Sequence, residues 1–153
     1  MNYCDGVPMV IAGCSRRKLQ AASPVPALEL YQGGCLPALR EAVASWAELR
    51  ARTWIISAEH GLVHADTPLL PYDRRMDIAR ALSLLGPVGQ ALHHEFAMHG
   101  SPSAVLVIAE PLYQLALMSL PVMTAQSRVT WIDDPVAGWE QAAALLESWR
   151  KRS

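Results

Sequence analysis

Four short apolar-rich runs constrain most strongly what this chain can fold into. They are residues 7–12 (VPMVIA), 53–57 (TWIIS), 103–109 (SAVLVIA) and 128–132 (RVTWI). The first and third are apolar without alternation. A strand that is apolar on both faces fits a parallel sheet covered on both sides. The segments between the runs carry helical periodicity instead. Leu36, Leu39, Val43, Trp46 and Leu49 or Arg50 predict an amphipathic helix of about four turns. A short helix is expected from Pro26, carrying Ala27–Tyr31 and stopping at Gly33-Gly34. Residues 77–99 are helix-rich, with a break expected at Gly86-Pro87. Residues 110–118 predict another helix, and Trp139, Ala142, Ala143, Leu146 and Trp149 mark a terminal one. Residues 59–76 contain Gly61, Pro68 and Pro71 without clear periodicity and predict a long loop. Strands alternating with helices argue for an α/β fold. The expectation is a single three-layer domain over residues 1–153, with a mostly parallel sheet of about four strands.

A chain that is 52% hydrophobic and 18% charged can bury a sizeable core. A net charge of −1 argues against general adhesion to polyanions. Local basic clusters remain at Arg16-Arg17-Lys18 and Arg74-Arg75. A third, Arg150-Lys151-Arg152, suits the C-terminus of the last helix. Cys4, Cys14 and Cys35 are an odd set without a CxxC spacing, which predicts neither structural zinc nor a disulfide framework. His60 and His64 have HxxxH spacing, but Gly61 beside them speaks against a helical metal pair. No metal or cofactor is expected. No apolar run is long enough to span a membrane, and no basic leader precedes an apolar core. The expected setting is soluble and cytoplasmic, with the oligomeric state left open.

Three clusters can carry chemistry. Gly13-Cys14-Ser15-Arg16-Arg17-Lys18 follows the first strand. Small residues there let backbone N–H groups approach an anion, while Ser15 and Lys18 add a hydroxyl and a point charge. Cys14 is a candidate nucleophile near cations; its plainer role is a small residue at a tight turn. Glu59 and His60 follow the second strand and suit proton transfer near neutral pH. Pro71-Tyr72-Asp73-Arg74-Arg75-Met76 combines a rigid turn, a ring, a carboxylate and two guanidiniums. Tyr72 can stack on a planar base and Arg74 can pair with phosphate. Alternatively, Asp73 caps the next helix and Tyr72 pins the loop to the core. Tyr31 is a weaker binding candidate, as is Tyr113. The three clusters lie at predicted strand exits or in the loop after them, where open α/β sheets place ligands.

The stretch ISAEHGLVHADTPLLPYDRRM resembles a segment of the YaaA-like proteins. The matching positions are Ser57, Gly61, Leu62, Val63, Pro71, Tyr72 and Met76. GCSRRK and ALELYQGG resemble a Cys-Ser-x-x-Lys turn and a later Leu-Tyr in small YaaA-related domains. A similar turn occurs in the archaeosine synthase core. The resemblance covers roughly residues 9–113 and implies an α/β fold with a connection to nucleic acids or nucleobases. The resulting expectation is an enzyme acting on a nucleobase, nucleoside or nucleotide, free or within a nucleic acid. Its chemistry would be hydrolytic, lyase-like or group transfer at the base or glycosidic bond. The alternatives are a non-catalytic DNA- or RNA-binding stress protein and a nucleotide sensor without turnover.

Overall fold

The first strand, β1 (Met9–Gly13), is buried along its whole length. Its alternate residues enter two different apolar clusters. Val10 and Ala12 join one, and Met9 and Ile11 join the other. A strand with no polar face can be placed only where both faces are covered. A computed structural model describes residues 7–124 and 127–152. After β1 come β2 (Val25–Pro26), α1 (Ala27–Leu30), α2 (Leu36–Val43) and α3 (Ala47–Arg50). Then come β3 (Thr53–Ser57), β4 (Gly61–His64), β5 (Pro68–Leu69) and α4 (Ile78–His99). The chain continues through β6 (Ala104–Ile108), α5 (Pro111–Ala116), α6 (Leu120–Met123), β7 (Arg128–Ile132) and α7 (Trp139–Arg152).

The main sheet has five strands in the order β4-β3-β1-β6-β7, and β2 and β5 form a separate two-stranded ribbon. β1 pairs in parallel with β3 and β6, and β6 with β7. β4 folds back antiparallel on β3. The fold is therefore α/β with a mostly parallel sheet, one strand larger than expected. The extra strand lies within the predicted 59–76 loop. At four residues, beginning at a glycine, β4 is too short to show a period of two. Its turn needs Gly61, whose φ of 72° L side chains rarely adopt.

The chain leaves β1 toward β3 on one side, then crosses through α4 to β6 on the other. The carboxyl ends of β1 and β6 thus flank a topological switch point, the place where such sheets open a crevice.

Three helix expectations change. The 36–50 helix is two helices, because Trp46 leaves helical geometry with φ −135° and ψ 77°. Its ring packs against the cluster that includes α7, and the Arg150 guanidinium lies 5.2 Å from its centre. Packing has outweighed periodicity at that point. Conversely, α4 runs 22 residues straight through Pro87. Gly86 has no Cβ to meet the proline ring, which relaxes the usual bar on helical geometry before proline. Ala81, Leu84, Val88 and Leu92 form a buried stripe that spans the proline and holds both halves to one core. Asp73 is not the cap of this helix. Asp77 is, with its carboxylate accepting the Arg80 N–H at 2.7 Å. In the third change, α5 ends at Ala116, and the short α6 follows it. At the base of α4, the buried Arg52 and Glu95 pair at 3.6 Å. Among the described residues, no helix is long and apolar enough to cross a membrane.

Candidate functional site

The turn after β1 is built by short-range bonds. Cys14 N–H donates to Ile56 C=O at 3.0 Å, carrying the β1–β3 ladder one residue further. That amide is therefore engaged within the sheet, a correction to the expected row of anion-facing N–H groups from residue 14. Ser15 is engaged as well. Its hydroxyl donates to Arg17 C=O at 2.7 Å and accepts from Gly33 N–H at 3.1 Å. The expected ligand donor is thus a staple that shapes the turn. Gln32 N–H also donates to Arg17 C=O, Leu19 N–H donates to Leu30 C=O, and Lys18 and Tyr31 form an isolated β-bridge. These bonds hold the basic turn against the end of α1. The fit is close: a Cβ on Gly33 would lie 3.1 Å from Ser15 Cβ.

Behind the turn lies a cluster of hydroxyls. Tyr31 is fully buried, and its Oη lies 2.5 Å from Tyr72 Oη. Tyr72 Oη lies 2.6 Å from Ser57 Oγ. Ser57 in turn accepts the N–H groups of Glu59 and His60 at 3.2 and 3.1 Å. The Lys18 ammonium sits 4.3 Å from the Tyr72 ring centre and donates to Arg16 C=O at 3.2 Å. The Cys14 thiol reaches Tyr113 Oη at 3.4 Å. Burial pushes the Tyr31 hydroxyl up to about 12, partly opposed by the Tyr72 hydrogen bond. Burial also raises Tyr72 and Tyr113, with the electrostatic effect of the neighbouring Cys14 as the next cause for both. These tyrosines are consequently neutral hydrogen-bonding groups near pH 7.

A cleft of about 920 Å3 opens at the switch point. One wall is the turn from Gly13 to Lys18, a second is Asp73–Met76, and a third is formed by Glu110, Leu112 and Tyr113. Gly33, Gly34 and residues 134–136 complete it. Five basic side chains (Arg16, Arg17, Lys18, Arg74, Arg75) and three acidic ones (Asp73, Glu110, Asp134) border it. Asp134 is committed to its own turn, where it accepts from Val136 and Ala137 N–H.

Of the residues singled out from the sequence, Cys14, Ser15, Lys18, Asp73 and Arg74 line this cleft. Tyr31, Tyr72, Glu59 and His60 do not. Tyr72 lies behind Lys18, and its ring meets His60 edge-on at 5.0 Å. Glu59 sits beside the cleft and pairs with Arg74 at 3.3 Å, with both groups well exposed. Such a pair contributes little to stability and leaves either partner free to turn to a ligand. His60 is exposed. His64 is engaged elsewhere: Nε2 lies 2.9 Å from Ala51 C=O, and Nδ1 accepts Asp66 N–H. Among the described residues, no three His, Cys, Asp or Glu cluster in a way that could hold a metal ion. Cys35 is a free, buried thiol and Cys14 a free, half-buried one; Cys4 lies outside the described residues.

Two residues were missed. Arg80 donates to the carbonyls of Ala58 and Glu59 at 2.7 and 2.9 Å, fixing the turn that carries Glu59. Glu110 supplies the cleft with a carboxylate from the end of β6. Its position just past the third apolar run was the signal available for it.

No curated protein and no solved structure matches the chain. A family of unknown function matches residues 9–118, the stretch that carries the basic turn, the hydroxyl cluster and the Asp73–Met76 wall. With well over half its length matched, the chain belongs to this family, DUF6884.

Proposed function

We propose that the protein is an enzyme acting on a nucleobase, nucleoside or nucleotide at the switch-point cleft, by hydrolytic, lyase-like or group-transfer chemistry. One observation carries this reading. Two sequence-distant segments, Gly13–Lys18 and Asp73–Met76, converge on one cleft with basic walls at the carboxyl ends of β1 and β6. A nucleotide supplies the anion those walls favour and a planar ring for Tyr113, the aromatic side chain of the lining. Lys18, Arg74 and the Ser15-shaped turn hold the anion. Cys14, Glu59 and His60 are the proposed nucleophile and proton-transfer groups, and Cys14 is the one of the three that lines the cleft. The two apolar clusters served by β1 support a three-layer reading of the fold. Kinship with YaaA-like proteins is part of the proposal, resting on Ser57, Gly61, Pro71, Tyr72 and Met76.

A second reading is a non-catalytic nucleic-acid-binding protein. It is favoured by Arg16, Arg17 and Arg75, which stand exposed at the cleft. Isothermal titration separates the two. Adenosine 5′-monophosphate should bind more tightly than adenosine, with weak salt dependence. Affinity found only for single-stranded oligonucleotides, falling steeply with salt, would move the conclusion to the second reading. Absence of binding by either class would remove both.

A further inference from the structure

The hydroxyl cluster behind the cleft has a direction. Ser57 Oγ accepts two backbone N–H groups, from Glu59 and His60. Both of its lone pairs are then used, so its own hydrogen goes to Tyr72 Oη. Tyr72 in turn gives its hydrogen to Tyr31 Oη. The Tyr72 hydroxyl is thereby tethered on two sides, to a fully buried serine and a fully buried tyrosine. Its ring is fenced as well, meeting Tyr31 at 80° and His60 at 88°. The fixed ring carries the Lys18 ammonium at 4.3 Å. Lys18 spends one N–H on Arg16 C=O and keeps others to give. The arginines differ. Arg16, Arg17 and Arg75 are exposed, with no side-chain partner among the described residues, and each loses rotamer freedom when it closes on a ligand.

We propose that Ser57, Tyr72 and Tyr31 form a positioning network that holds the Lys18 ammonium at the cleft wall as the group that meets the ligand's anionic end. Arg16, Arg17 and Arg75 attract the ligand from further out, while Arg74 shares the anion with Lys18. This rests on the reading that the cleft binds an anionic, ring-bearing molecule, and it adds the part of the structure that makes one of its five cations specific.

The chain has two lysines, Lys18 and Lys151, so their side-chain NMR signals are readily told apart. The Lys18 ε-methylene should be shifted upfield by the Tyr72 ring, with Lys151 as the unshifted reference. Tyr72→Leu should remove most of that shift, leaving the smaller effect of the Tyr31 ring, whose centre lies 5.8 Å from the ammonium. Tyr72→Phe keeps the ring but loses both hydroxyl tethers, and Ser57→Ala loses one, so each should leave a reduced shift; a full parental shift in both would overturn the network. Affinity for adenosine 5′-monophosphate should follow the same order. Lys18→Met and Tyr72→Leu should each weaken binding by about tenfold, and together by little more than either alone. A Lys18 signal like that of Lys151 in the parent protein would overturn the proposal. So would Tyr72→Leu or Lys18→Met binding as tightly as the parent, an outcome that leaves the cleft reading standing. If the parent protein binds no adenosine 5′-monophosphate, the cleft reading itself fails and the ligand role of Lys18 goes with it.

Discussion

Removing the Ser15 hydroxyl should loosen the turn that carries the cleft's cations. Ser15→Ala leaves Gly33 N–H and Arg17 C=O each short of one partner. The expected loss is about 1–2 kcal/mol, read from the urea midpoint; an unchanged midpoint would mean that the staple is not needed. Cys14→Ser keeps a small side chain at the turn and should preserve both fold and ligand affinity. Tyr31 makes a prediction in pH. Its hydroxyl titrates at about 12 in the folded protein against 10.0 when unperturbed. Below pH 10 both states hold the proton, so its full contribution is present. Above pH 10 the unfolded chain loses the proton first, and stability falls until the folded group also ionises. The loss attributable to Tyr31 is roughly 2 to 3 kcal/mol. Cys35, raised from 9.0 to about 12 by burial, adds a decline that begins one pH unit lower. Urea midpoints measured from pH 8 upward should therefore fall, and Tyr31→Phe should flatten the portion above pH 10. Equal slopes in the two proteins would contradict the assignment. At this scale the sequence showed which side chains lie at strand exits, and Cys14, Lys18, Asp73 and Arg74 do line the cleft. It could not show that Tyr31 and Tyr72, 41 positions apart, share a hydrogen bond, nor that Ser15 is bonded within the turn. Those facts depend on how the β1 turn folds against α1.

β1 and β6 were legible because nearly full burial leaves a strand no polar face. β3 and the edge strand β7, which is only partly buried, also fall on the apolar-rich runs that predicted them. What escaped were elements whose form is decided by packing. β4 is a short edge strand begun by a left-handed glycine, and α4 carries a proline where a break was expected. In α4, Pro87 is exposed and cannot donate to Ser83 C=O. Pro87→Ala should restore that bond and raise stability by about 1–3 kcal/mol, seen as a higher urea midpoint at unchanged slope. Destabilisation instead would show that the proline shapes the helix rather than being carried by it. Leu92→Ala, within the same helix's buried stripe, should cost about 2–5 kcal/mol.

Over the whole molecule, a net charge of −1 conceals a basic cleft, because much of the acidic charge lies away from the β1 and β6 ends. The strand order generates this cleft: crossing from one side of β1 to the other separates two loops and leaves a gap between them. The basic turn and the Asp73–Met76 wall meet there although some sixty residues separate them in sequence. The protein has a second cleft of about 400 Å3 at the amino ends of β1, β6 and β7, lined in part by Trp46, Arg128 and Trp149. That cleft provides an internal control. Backbone amide shifts recorded while adenosine 5′-monophosphate is added test the central claim most directly. Saturable changes concentrated at residues 14–18, 73–76 and 110–113 are the predicted result. Changes concentrated around Trp46, Arg128 and Trp149, or no saturable changes at all, would contradict it.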